Sequence, residues 1–320
     1  MTARRPSPRL ISRRGLLRAA GVAIASGAAG AAWGFGIEPM LTTVARHAIE
    51  PIAGAAPWPA GLRLRIAALS DIHVSEPYMS VDRVRRIVER TNALAPDLVV
   101  LLGDYVAGSR IVSRFVPAAE WAPALGGLKA PLGVHAVLGN HDWWEDRTAQ
   151  RTGAMPIAGR AMQAAGISVL HNEALPLETP QGTIWLAGLG DQLAFGPARA
   201  RGWRRRVGAD DLAATLAPIP DGAPAILLAH EPDIFPRVPR RIALTLSGHT
   251  HGGQVRLFGY SPIVPSPRRY AWGHIREHTD LVVSGGLGYS LIPVRFGVPP
   301  EITLVEIGPK APVHRGDAAV

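Results

Sequence analysis

Five short polar clusters in this 320-residue chain each follow an apolar run directly: Asp71-Ile72-His73, Gly103-Asp104, Gly139-Asn140-His141-Asp142, His230 and Gly248-His249-Thr250-His251. The runs before them, such as Leu98 to Leu102 and Ala225 to Ala229, read as buried strands. Polar groups placed at the end of a core strand are costly unless they are paired or bound to something. One histidine or aspartate there is ordinary, as a turn, cap or satisfied buried residue. Five clusters at the same end of five strands point to one shared site, because open α/β sheets bind ligands outside the carboxyl ends of their strands.

The donor types narrow the chemistry. Imidazole, carboxylate and amide oxygen without thiolate suit Mn, Fe, Co or Zn, and not a Ca or Mg oxygen cage. The candidate ligands are Asp71, His73, Asp104, Asn140, His230, His249 and His251. They are more than one ion readily uses, and they fit two divalent ions that share a carboxylate. Such a pair can clamp a phosphate, generate hydroxide at neutral pH and stabilise a pentacoordinate transition state. The chain has no cysteine, which excludes thiolate sites, disulfides and a cysteine nucleophile. It also lacks a Gly-x-Ser-x-Gly elbow and a Lys-Ser/Thr phosphate loop.

Taken in order, the five clusters resemble the motifs of the calcineurin-like metallophosphoesterases, over roughly Leu62 to Ile307. The resemblance implies a four-layer α/β/β/α sandwich around a dinuclear centre. Asp71, His73 and His251 would hold one ion, Asn140, His230 and His249 the other, and Asp104 would bridge. It implies that His141 is not a ligand but acts beside the phosphate, stabilising the transition state or protonating the leaving group. Asp142 either orients His141 or serves as a loop or cap residue. Trp143 and Trp144 are either an apolar lip or packing. Where many family members place a further Asp or Asn after Gly-Asp, this chain has Tyr105-Val106-Ala107. Tyr105-Val106, Gly252-Gly253-Gln254 and Arg295-Phe296-Gly297 before Pro300-Glu301-Ile302 are similar to a bacterial branch of exported or membrane-associated phosphodiesterases. That branch is related to enzymes that cleave the pyrophosphate of UDP-diacylglucosamine. The expected activity is hydrolysis of a phosphoester or pyrophosphate, a diester favoured, by a metal-bridging hydroxide. The substrate would be a lipid or nucleotide-lipid. The alternative is a non-catalytic scaffold of the same fold at the cell envelope.

The elements that must position these residues follow from periodicity. Val81 to Leu94 has an apolar helical face between two buried strands, a parallel βαβ unit. Helices are expected over 121–128, 152–165 and 210–216, and further strands over 183–189, 255–258, 281–284 and 302–307. The net charge of +9 is mainly N-terminal: six arginines precede residue 19 and no acid precedes Glu38, so removing those six from +9 leaves +3. The Arg201 to Arg206 cluster has a single aromatic, Trp203, short of the interleaving of a single-strand platform, and reads as a solvated loop, so no nucleic-acid partner is expected. Ser12-Arg13-Arg14-Gly15-Leu16-Leu17-Arg18 before an Ala/Gly stretch resembles a twin-arginine signal, implying the twin-arginine translocase as partner and export to the periplasm or envelope. Ala29-Gly30-Ala31 offers a cleavage site, and an uncleaved segment would instead anchor the protein in the membrane. The expected organisation is a signal or anchor over 1–37, a linker over 38–60, one domain over 61–308 and a flexible tail over 309–320.

Overall fold

A computed structural model describes residues 12–52, 56–200 and 203–309. In chain order, the strands of its two main sheets are β1 (Thr43–Ile49), β2 (Leu64–Leu69), β3 (Leu98–Leu101), β4 (Val134–Ala136), β5 (Ser168–Val169), β6 (Glu173–Thr179), β7 (Gly182–Gly188), β8 (Ala225–Leu228), β9 (Ile242–Ser247), β10 (Gly273–Arg276), β11 (Asp280–Val283) and β12 (Glu301–Ile307). One six-stranded sheet runs β1-β12-β2-β3-β4-β5, and the other runs β10-β11-β9-β8-β7-β6. β2, β3, β4 and β5 are mutually parallel, as are β7, β8, β9 and β11.

Side-chain alternation makes four layers of these two sheets. Leu64, Ile66 and Ala68 of β2 face the other sheet and pack in one core with Ile184 and Leu186 of β7, Ile226 and Leu228 of β8 and Leu244 and Leu246 of β9. Ala67 and Leu69 of the same β2 point the other way, into a core shared with Val84, Ile87 and Val88 of helix α2 (Val81–Ala93) and Trp121 of helix α3 (Ala118–Leu125). On the far face of the second sheet, Ala225 and Leu227 pack on Leu216, Ile219 and Ile234. The chain is therefore an α/β/β/α sandwich.

The helices are α1 (Arg13–Ala32), α2 (Val81–Ala93), α3 (Ala118–Leu125), α4 (Asn140–Trp144), α5 (Arg147–Thr152), α6 (Ile157–Ala164) and α7 (Leu212–Leu216). Ser80 caps α2, its Oγ accepting from the Arg83 N–H, and Asp211 caps α7 through the Ala214 N–H. Ser12 caps α1, which buries none of its residues and is long and apolar enough to cross a membrane.

Several elements differ from expectation for local physical reasons. Residues 38–60, expected as a linker, contain β1, an edge strand in parallel register with β12. Its stabilising partner lies some 250 positions away, beyond the reach of local pattern. The helix expected over 152–165 is two, because Gly153 adopts a left-handed cap (φ 70°) and Pro156 precedes the next start. Residues 255–258 form isolated bridges and not a strand, since Gln254, Phe258 and Gly259 all have positive φ. Trp203–Arg206, expected as loop, pairs with Pro197–Ala200 as a two-stranded hairpin. The expected tail lies outside the described residues from 310 onward.

Ile226 is fully buried between the sheets. Ile226→Ala should lower unfolding free energy by about 3 kcal/mol, the usual cost of such a cavity, measured by denaturant titration in detergent micelles.

Candidate metal centre

The parallel neighbours β2, β3 and β4 in one sheet and β8 and β9 in the other end at one rim of the sandwich. Their carboxyl ends deliver all five polar clusters to that rim. Two groups form there, each with ligand atoms mutually within 4.8 Å: Asp71, His73 and His251, and Asp104, His230 and His249. They abut at Asp104, whose Oδ2 lies 3.6 Å from His73 Nε2 and 3.3 Å from His230 Nε2. His73 Nε2 is 3.1 Å from His251 Nε2, and His251 Nε2 is 3.5 Å from Asp71 Oδ1. Asn140 begins α4 beside them, and its buried Oδ1 has no hydrogen-bond partner.

Close approach demands glycine in two of the turns. A Cβ on Gly139 would come within 2.4 Å of Asp104 Oδ1 and 2.7 Å of the His230 ring, and one on Gly248 within 1.7 Å of Ser70 Oγ. Backbone donors fix the carboxylates. The His249 N–H donates to both oxygens of Asp71 (3.1 and 3.0 Å), and the His141 N–H donates to Asp104 Oδ1 at 2.8 Å.

The donor chemistry fits divalent cations. His73 Nδ1 faces the Val106 carbonyl at 2.8 Å, and His230 Nδ1 faces that of Leu102 at 2.6 Å. In the tautomers that donate these bonds, each Nε2 turns its lone pair to the cluster, as in metal-binding imidazoles. Burial pushes the His73 pKa down to about 4, so its ring is neutral and free to ligate. Burial likewise raises Asp71 to about 6. Around Asp104, burial opposes ionisation, but the charge on His230 outweighs it and holds the carboxyl well below its ordinary range. The same pairing overcomes burial to raise His230 well above its ordinary value. A cation beside Asp104 would replace that proton as counter-charge.

The remaining residues of the third cluster divide by role. Asp142 does not touch His141 through its side chain. Its two oxygens accept from the N–H groups of Asp104, Gly139 and Tyr105 at 2.9 Å and of Val106 at 3.3 Å, tying the second and third clusters together. Burial, then the neighbouring Asp104, push its pKa up to about 7 against the Gly139 and Tyr105 donors. His141 is half-buried, with its Nδ1 unpartnered and its ring edge-on to His73 at 5.1 Å and to Trp144 at 5.3 Å. Trp143 is core, packed against Phe195 and His171. Trp144 is the exposed one of the pair, held by its Nε1–H donating to the Leu193 carbonyl. Tyr105, at the departure from the family pattern, is fully buried and donates to the Val137 carbonyl at 2.7 Å.

Sequence reasoning missed a third group, Asp191, His230 and Glu231. Both acids are buried. Burial, and then Glu231, raise Asp191 well above the ordinary range. The available signal was position: Glu231 follows His230 directly, and Asp191 follows the end of β7. Arg295 was also unassigned. It is fully buried and donates to the carbonyls of Gly285, Gly288 and Val298 and to His251 Nδ1 at 3.2 Å.

The fold and this rim define a class that comparison with known proteins identifies. The family model described as calcineurin-like phosphoesterase matches residues 64–253, and the chain belongs to that family. Among its relatives, a metallophosphoesterase of Bacillus subtilis, YkuE, is 31% identical over 92% of this chain and 96% of its own length. Phosphodiesterase YaeI of Escherichia coli is 30% identical over 93% of this chain and all of its own. A zebrafish (Danio rerio) transmembrane protein with a metallophosphoesterase domain is 35% identical over 75% of this chain, which spans about half of that protein.

Asp142→Ala removes the acceptor of four backbone N–H groups. It should destabilise the protein by about 3 kcal/mol or more, because orphaned buried donors bear their full desolvation cost. Thermal unfolding followed by circular dichroism checks this.

Proposed function

We propose that the protein is a metal-dependent phosphoesterase with a dinuclear centre, acting by preference on phosphodiesters. The observation that carries the reading is Asp104, a carboxylate lying between two buried ligand groups and within 3.6 Å of a histidine in each. In this reading Asp71, His73 and His251 hold one ion, Asn140, His230 and His249 hold the other, and Asp104 serves both. The partnerless Asn140 Oδ1 supports its inclusion. Bound ions would supply Lewis acidity toward a phosphoryl oxygen and a water acidic enough to act near neutral pH.

The chain's own groups supply the rest. His141 stands at the edge of both groups without joining either, so its ring is free to hydrogen-bond a phosphoryl oxygen or protonate the leaving oxygen. Asp104 fixes the start of α4, and with it His141, through the 2.8 Å bond from the His141 N–H. Trp144 offers an apolar wall beside His141 for the leaving group. The phosphodiesterase name of the Escherichia coli relative favours diesters, and the zebrafish relative's transmembrane name favours work at a membrane. With the Arg13-Arg14 pair heading an unburied apolar helix, these support a protein exported by the twin-arginine route and retained at the cell envelope, acting on a lipid-linked phosphoester.

Purified protein should hydrolyse bis-p-nitrophenyl phosphate faster than p-nitrophenyl phosphate with Mn, and lose both activities in EDTA. Absence of metal-dependent turnover on either ester would refute the reading in favour of a scaffold. His141→Ala should lower kcat by about 100-fold or more, the scale of general acid–base catalysis, with metal content by mass spectrometry unchanged. Asp104→Asn should instead reduce bound metal at both sites.

A further inference from the structure

The rim beside the metal centre is built from three loops whose outward side chains are apolar. Phe258 and Ile263 project from the loop after Gln254, Leu291 and Ile292 from the loop after Tyr289, and Ile111 from the loop after Gly108, all of them exposed. A well-folded domain rarely gathers so many large apolar side chains in water without a use.

These tips are parts of one hydrogen-bonded surface. The Leu291 N–H donates to the Gly108 carbonyl at 3.1 Å, and Ser109 Oγ donates to the Leu291 carbonyl at 2.6 Å. Gln254 Nε2 donates to the Ile292 carbonyl at 3.1 Å, and the Arg256 N–H to that of Phe296 at 2.7 Å. Gly108 in turn lies against the His73 ring, where a Cβ would be 2.6 Å from Cε1. The apolar rim and the metal centre share a wall.

Two observations say what covers this face. The first is continuity with α1. The Arg295 N–H donates to the Gly34 carbonyl at 2.9 Å, and a Cβ on Gly34 would be 3.5 Å from Val294 and 3.6 Å from Phe296. The chain thus leaves the apolar, membrane-length helix directly onto the loop after Tyr289. The second is charge. Residues 105–115, 254–276 and 285–300 contain no Asp or Glu, while Arg110, Arg256 and Arg268 lie within them. Arg268 stacks over the Tyr260 ring at 4.6 Å.

We propose that these three loops form an interfacial docking face that rests on an anionic phospholipid bilayer beside α1, with Phe258, Ile263 and Leu291 entering the headgroup region. Apolar tips ringed by arginine are the combination that binds such surfaces: burial of the tips adds to attraction between guanidinium groups and anionic lipid. The docking face does not depend on which phosphoester is cleaved.

The natural absence of cysteine permits a direct test in the full chain. Phe258→Cys and Leu291→Cys, each carrying an NBD label, are reconstituted into phosphatidylcholine vesicles with and without phosphatidylglycerol. Gln181→Cys, on the β6–β7 turn at the opposite end of the strands, is the control. The two rim labels should shift to the blue and lose most of their emission to doxyl-labelled lipid, more so with phosphatidylglycerol, while the Gln181 label stays in water. Rim labels as exposed as the control, in samples where α1 has inserted, would overturn the docking face. Equal quenching without phosphatidylglycerol would overturn the role given to the arginines. Circular dichroism of the same samples reports on folding, and bis-p-nitrophenyl phosphate hydrolysis tests the proposed activity separately.

Discussion

The structure depends on five residues holding a backbone conformation that side chains disfavour. Asp71, His73, Asp104, His249 and His251 all have left-handed φ, between 48° and 68°. Each such residue costs roughly 1–2 kcal/mol against the right-handed form. Five around one small volume, all but His249 fully buried, would not persist without a surround that over-determines them. The surround is visible. Parallel strands with cores on both faces hold the turns from below, and carboxylates that accept backbone N–H groups lock them to one another from within. Asp71 ties its own turn to that of His249, and Asp142 ties the Asp104 turn to the start of α4.

The second consequence of burial is electrostatic. Asp71 is held up to about 6 and His73 down to about 4 because neither prefers its charged form in a dry setting. Asp104 escapes through its histidine neighbours, His230 first among them. Neutral imidazoles and reluctant carboxylates facing one another are poor partners for each other and good partners for cations. The rim thus bears two independent costs, in backbone and in charge, and a cation is the kind of ligand that offsets the second.

How far this could be read from sequence follows from the range of each interaction. The strands before each cluster were legible because a run such as Leu98 to Leu101 is apolar on both faces and its end is abrupt. The candidate ligands were legible because their types are few and their positions repeat. β1 was not, because Thr43–Ile49 is a half-exposed edge strand that exists only by pairing with residues 301–307. Asp142 could not be resolved between two roles, since its four donors come from segments 3 to 38 positions away. Trp143 and Trp144 are identical residues in adjacent positions, and only the one-turn helix α4 decides that the first enters the core while the second faces His141. Glu231 was hidden by its neighbour, because a histidine after a strand draws the eye from the acid that follows.

Arg295 connects the parts that sequence kept separate. Its backbone N–H holds the Gly34 carbonyl at the end of the N-terminal helical segment, and its guanidinium reaches His251 Nδ1. Every one of its N–H groups is committed, since three carbonyls take the remainder. A fully buried arginine with no carboxylate within bonding distance is held wholly by neutral acceptors, which makes its position sensitive to the loops that supply them. Those loops, 285–288 and 294–298, also carry the rim. Glu38 adds a second tie, accepting from Trp33 Nε1 at 2.6 Å and from the Val298 N–H at 2.9 Å. The segment leaving α1 is therefore bolted to the domain within a few residues of a candidate metal ligand, and not joined by a slack tether. In the proposed docked state, the orientation of α1 would pass directly to the rim, so the segment after α1 would set which way the site faces.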